Sequence, residues 1–195
     1  MNRKSVRRYS ANLRHVLARQ LKGDRIVARV DGRMEYGPRA LGNGSILYPA
    51  TNPSVNQWLN RQQRRTEFMP VAPVVRIEDA PAFFERFDDK TAYTPQLMTI
   101  TYDVTARGRR EAPAIVHVDG TVRPQVLRRG VSPGYYDILD EYHKLTDLSV
   151  PVNTSFNLHE EPIVCTPEDA RKAFYERDLD VLLMGTFLIV NERKG

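Results

Sequence analysis

The stretch GRMEYGPRALG, residues 32–42, decides how the rest of the chain is read. Three glycines, a proline, two arginines and a glutamate fall within it, a composition that suits neither a regular helix nor a regular strand. Glycine admits positive φ and close backbone approach, proline fixes a turn, and each guanidinium offers a planar donor fork matched to phosphate or carboxylate. Taken alone, the stretch has two open readings: a rigid anion-binding loop, or a structural turn in which Arg33, Glu35 and Arg39 pair with one another.

The flanks favour the first reading. Ile26 to Val30 reads as a short strand ending at the loop and Ser45 to Tyr48 as another leaving it, the setting in which ligand loops are found. Upstream, Ser10 as N-cap, Leu13, Val16, Leu17 and Leu21 at helical spacing, and Gly23 as a stop predict an amphipathic helix over 10–23. Downstream, Asn52-Pro53 opens a helix over 53–63 with Val55, Trp58 and Leu59 inward. In NRQQRRTEFMPVAPVV, Arg61 and Arg65 stand at i, i+4, where like charges repel unless an anion or Glu67 relieves them. Pro70 and Pro73 predict an edge or irregular segment leading into Val74 to Ile77.

Beyond it, EDAPAFFERF predicts a short helix, residues 90–95 a loop and 97–104 a strand. ARGRRE, residues 106–111, reads as a surface hairpin tip, with a nucleic-acid contact as the sharper alternative. Ala114 to Val118 and Val122 to Leu127 flank Asp119-Gly120 and predict a hairpin. His117, Asp119, Thr121, Arg123 and Gln125 then share one face, turned to solvent or lining a site. A helix over 133–146, with Ile138, Leu139, Tyr142 and Leu145 inward, and a strand over 149–152 follow. Asn153, Thr154, Ser155 and Asn157 come next, carrying groups that orient a nucleotide without charge or that form Asx and Ser turns. Thr166, Pro167 and Asp169 open a last helix, and Val181–Met184 and Phe187–Val190 read as closing strands.

At 195 residues and 41% hydrophobic, the chain has the size of one domain with a real core. It has no apolar run near the ~18 residues of a membrane span. The basic amino terminus lacks the apolar core and cleavage site of a secretory signal, which predicts a soluble, cytoplasmic protein. Cys165 is the sole cysteine, so internal disulfides and structural zinc sites built on several cysteines are excluded, and a buried free thiol is expected. A net charge of +5 points to acidic partners, and only six of the 29 basic residues are lysine. Arginine favours bidentate oxyanion recognition, as in nucleotide phosphates or a nucleic-acid backbone.

Four segments, GRMEYGPRALG, RTEFMPVAP, HVDGTVRPQ and NTSFNLHEEPIV, in this order and spacing resemble the carboxyl-terminal domain of the O-carbamoyltransferase family, enzymes that carbamoylate antibiotics and nodulation factors. The match runs from about Ile26 to Val190. The resemblance implies an α/β (α+β) fold, a YrdC-like twisted mixed sheet flanked by helices in a single domain over 26–195, with residues 1–25 as a helical lead-in. It implies formation of carbamoyladenylate from carbamoyl phosphate and ATP, with Mg²⁺ entering as part of the ATP substrate and no tightly bound cofactor or protein-held metal. Transfer to an acceptor hydroxyl then needs a separate, metal-binding amino-terminal-type subunit. The alternative is a non-catalytic module of the same fold that binds nucleotide or nucleic acid.

The resemblance also assigns roles. Arg33, Arg39, Arg65 and Arg123 hold oxyanions and stabilise the charge that develops as pyrophosphate leaves. Glu35, Asn43, Ser45, Arg64, His117, Asp119, Thr121, Gln125, Asn153, Thr154, Ser155 and Asn157 line the substrate and nucleotide site. The chain departs from the family pattern at Gly44 and Met69, where many relatives carry arginine, and at Gln63, often lysine, for which Arg64 is the near substitute. Fewer cations imply weaker phosphate binding, another activated substrate, or a domain that binds nucleotide without reacting it.

Overall fold

In a computed structural model that describes residues 6–9, 12–55, 71–91, 93–158 and 160–192, the strands in chain order are β1 (Val6–Arg8), β2 (Val27–Val30), β3 (Gly44–Pro49), β4 (Ala72–Arg76), β5 (Tyr102–Asp103), β6 (Thr121–Val122), β7 (Gln125–Leu127), β8 (Pro151–Ser155), β9 (Val181–Met184) and β10 (Phe187–Val190). The helices are α1 (Leu13–Lys22), α2 (Ala80–Phe83), α3 (Tyr93–Gln96), α4 (Ala106–Glu111), α5 (Pro133–Thr146) and α6 (Pro167–Glu176). The described strands other than β5 and β6 form one mixed sheet in the order β1-β10-β9-β2-β3-β8-β4-β7. The β2–β9 and β4–β7 pairs are parallel and the other neighbours antiparallel.

Successive residues of a strand point to opposite sides, so apolar residues at every position demand cover on both faces. Val27, Leu47, Val74 and Val181 project to one side, where they meet Leu17 and Leu21 of α1 and Tyr135, Ile138, Leu139 and Tyr142 of α5. Ala28, Ile46, Val75 and Val152 project to the other, onto a core that includes Phe83, Phe84, Phe156 and Phe174. Among the described residues no helix is long and apolar enough to cross a membrane.

The strongest local signals form as read. The α5 helix spans 133–146. Thr166 and Asp169 close a reciprocal capping box at the start of α6: Thr166 Oγ1 accepts from the Asp169 N–H at 3.1 Å, and the Asp169 carboxylate accepts from the Thr166 N–H at 2.9 Å. Gly23 ends α1, but Asn12, in a left-handed conformation and making no side-chain cap bond, stands at its N-cap. Ser10 and most of the helix expected over 53–63, Trp58 included, lie outside the described residues, as do Arg64 and Arg65.

Several expectations are corrected. ARGRRE is the helix α4, because Thr105 Oγ1 accepts from the Gly108 N–H at 3.0 Å and caps it. Of the strand expected over 97–104 only Tyr102–Asp103 forms, and Met98 takes a positive φ of 56°. The turn at Asp119-Gly120 forms, but its flanks do not pair as a hairpin: β6 pairs with β5, and β7 runs parallel to β4. Pro124, lacking a donor N–H, separates the two short strands. Pro73 lies in an interior strand. The β4 residues up to Pro73 register with β8 and those from Val74 with β7, so the proline stands where the ladder changes partner. Asn153 to Ser155 belong to β8 rather than to a loop after it. Residues 90–95 include a 3₁₀ turn and the start of α3, and Cys165 is exposed.

Arg76 ties β4 to α5. Its guanidinium donates to Asp79 Oδ2 and to Asp140 Oδ1, each at 2.6 Å. Burial pushes the Asp79 carboxyl up, but the Arg76 hydrogen bond and charge hold it below the usual carboxylate range. Asp140 is held low by the Lys144 hydrogen bond and by the charges of Lys144 and Arg76. A depressed carboxylate pKa adds stability that is present above the unfolded value of about 4 and lost as pH falls through the lower folded value. Arg76→Met should therefore be less stable at neutral pH and lose less stability between about pH 5 and pH 3 than the parent, read from urea midpoints across that range.

Candidate functional site

Sheet topology brings distant segments to one end of the sheet. β2 and β8 end there, whereas β3, β4 and β7 begin there, as their pairing directions require. The 32–42 loop joins β2 to β3 across that end, next to Ser155, Ala72 and Gln125. Arg29, Ser45 and Ser155 register side by side across β2, β3 and β8 on the α1–α5 side. Asn153 and Gln125 share that side, whereas Thr154, registered with Ile46, projects to the other.

The loop is held from both of its hydrogen-bonding edges. Three successive carbonyls accept from side chains of the sheet: Ala40 from Asn153 Nδ2 at 2.9 Å, Leu41 from Gln125 Nε2 at 2.8 Å, and Gly42 from Arg29 Nη1. Asn153 Nδ2 also donates to Gln125 Oε1 at 2.8 Å, linking β8 to β7. On the opposite edge the Glu35 carboxylate accepts from the N–H groups of Leu41 at 2.8 Å, Asn43 at 2.6 Å and Gly44 at 3.1 Å. Asn43 Nδ2 donates to Arg33 O at 2.8 Å. Gly42 has φ of +127°, and a Cβ there would run into the Tyr135 ring, so this position needs glycine. Gly44 is closed in by the Ile163 side chain.

Glu35 is thus bound to backbone, not to arginine. Arg33 and Arg39 stand exposed, and neither side chain has an ion-pair or hydrogen-bond partner among the described residues. Arg123, half-buried, carries a buried Nε with no partner among the described residues. Burial, then the like charge of Arg39, lowers its pKa. Arg29, not singled out in the sequence, is 2% exposed. It bonds Asp31 at 2.5 Å and lies over the Tyr135 ring at 5.2 Å. Nothing in the sequence signalled its bond to Gly42.

The other expected site residues divide. The 117–121 turn reaches the same end through His117 Nε2, 3.4 Å from Val71 O. Asp119 accepts from the Thr121 hydroxyl at 2.7 Å and amide at 2.9 Å, an Asx turn closed on itself. Asn157 donates to Glu161 O at 2.7 Å and keeps a buried, unpartnered Oδ1, and Ser45 Oγ and Asn153 Oδ1 are likewise buried without partners among the described residues. The second basic cluster is consumed locally. Arg107 and Arg110 pair with Glu111 at 2.7 and 2.6 Å, and Arg109 donates to the carbonyls of Val104 and Gly120. A separate cleft of about 980 Å³ lies between α1 and α5, lined by Arg14, Arg29, Asp31 and Asp137 among others. Its arginines already face carboxylates, with Arg14–Asp137 at 3.3 Å, so the loop end, with its unpaired cations, is the candidate site.

The fold is YrdC-like. A solved structure of full-length HypF in its phosphate- and nucleotide-bound form superimposes with a TM-score of 0.65 at 22% identity, covering 91% of this chain and 25% of HypF. P. abyssi Sua5 complexed with L-threonine gives 0.61 at 9% identity, covering 89% of this chain and 46% of that one. Residues 18–191 match the family described as Carbamoyltransferase C-terminus, and the chain belongs to that family. It is 40% identical over 168 residues to the nodulation protein NolO of Bradyrhizobium diazoefficiens, covering 84% of this chain and 30% of NolO. An uncharacterized protein of Methanocaldococcus jannaschii is 35% identical over 174 residues, 89% of this chain and 33% of that protein. The chain therefore spans about a third of the length of these relatives.

Glu35→Ala should release three loop amides at once. Hydrogen exchange at Leu41, Asn43 and Gly44 is expected to accelerate while the central strands stay protected, with a global loss of about 1–3 kcal/mol from groups left unsatisfied.

Proposed function

We propose that this chain is the activating part of a carbamoyltransferase, forming carbamoyladenylate from carbamoyl phosphate and ATP. The observation that carries the reading is a set of arginines without an ion-pair partner among the described residues, Arg33 and Arg39 on a clamped loop whose own carboxylate is committed to backbone and Arg123 just ahead of β7. Among the described residues no carboxylate pairs with Arg33 or Arg39, and neighbouring like charges are relieved by a ligand that brings an anion. Family membership supports the carbamoyl chemistry. HypF, which shares the fold, was solved in a phosphate- and nucleotide-bound form, and similar ligands suit this cationic end.

The chemistry asks for positioning and charge stabilisation rather than a protein nucleophile. Water takes the phosphoryl group of carbamoyl phosphate and frees a carbamate. A carbamate oxygen then attacks the α-phosphorus of ATP, the bond to the β-phosphate oxygen breaks, and pyrophosphate departs. Arg33, Arg39 and Arg123 hold the two anionic substrates together and stabilise charge on the leaving group. Mg²⁺ enters with ATP. Ser155 and Asn157 orient the nucleotide, and Arg64 and Arg65 add cations from the preceding segment. Transfer to an acceptor hydroxyl falls to a metal-binding companion corresponding to the remainder of the longer relatives.

The purified chain given ATP and carbamoyl phosphate should release pyrophosphate. Arg39→Ala should lower that turnover by about 100-fold or more with little change in unfolding midpoint, since Arg39 supports nothing else among the described residues. No pyrophosphate, alone or with the protein encoded next to it, would rule the reading out.

A further inference from the structure

Tyr36 is the most exposed large hydrophobic side chain of the loop, fully open to solvent at 108%. It stands three residues from Arg33 and three from Arg39, and follows Glu35, whose carboxylate accepts from the amides of Leu41, Asn43 and Gly44. Every nucleobase has a π-face, and an aromatic beside backbone-neutralising cations is the usual platform for one. We propose that Tyr36 is the platform on which the base of the bound nucleotide stacks while Arg33 and Arg39 hold its phosphates. The site then selects a nucleotide over an inorganic polyphosphate of equal charge. This deepens the reading above and rests on it.

The test is equilibrium binding by calorimetry to the full chain, with MgATP and with Mg-tripolyphosphate as the two probes, for the parent, Tyr36→Ala, Tyr36→Phe and Arg39→Ala. Stacking on one base predicts about tenfold or greater weakening of ATP in Tyr36→Ala, unchanged tripolyphosphate binding, and recovery of ATP binding in Tyr36→Phe. Arg39→Ala should weaken both probes. Equal ATP affinity in Tyr36→Ala and the parent overturns the platform while leaving the phosphate site standing. An equal loss of both probes in Tyr36→Ala overturns it too, by showing that the ring supports the loop. A parent that binds neither probe overturns the phosphate site and the platform with it.

Discussion

The grip of four side chains on residues 40–44 is the constraint on which the site depends. A glycine-rich connection has high conformational entropy and would wander if left to itself. Here each edge of its backbone is used. Asn153, Gln125 and Arg29, from three different strands, take the carbonyls, and Glu35, from the loop itself, takes the amides. The donors on the sheet side are nearly fully buried, where a polar group left unpaired is costly and a paired one holds its geometry.

That arrangement separates two tasks which the loop's composition mixes together. The carboxylate that could have neutralised Arg33 and Arg39 is spent on backbone, and neither guanidinium has an ion-pair or hydrogen-bond partner among the described residues. Arg123 joins them from the chain just ahead of β7, and its lowered pKa reflects burial and the nearby Arg39 charge. By contrast, the arginines of α4 and those facing the α1–α5 cleft have acids or carbonyls at hand. Arginine content alone does not mark a site; lack of a local partner does.

The meeting of the segments follows from strand direction. The starts of β3, β4 and β7 and the ends of β2 and β8 fall at one end of the sheet, so residues more than a hundred positions apart become neighbours. Ala40 and Asn153 are the clearest case, joined at 2.9 Å. The chain spans about a third of the length of its relatives.

The sequence by itself determined the elements whose signals are local. The capping box at Thr166, the helix over 133–146 and the strands at 181–184 and 187–190 depend on neighbours within a few residues, and they form as read. It also determined the family, because four motifs in register carry more information than any one. Tertiary structure decided the rest. ARGRRE became a helix through a cap at Thr105 and close packing at Gly108, and the expected hairpin came apart because β7 found a parallel partner in β4. Glu35, Gln125 and Asn153 carry side chains suited equally to a ligand or to a backbone. Only the fold, by placing loop carbonyls and amides within hydrogen-bond reach, shows that they hold the loop, and that Arg29, which no motif singled out, holds it with them.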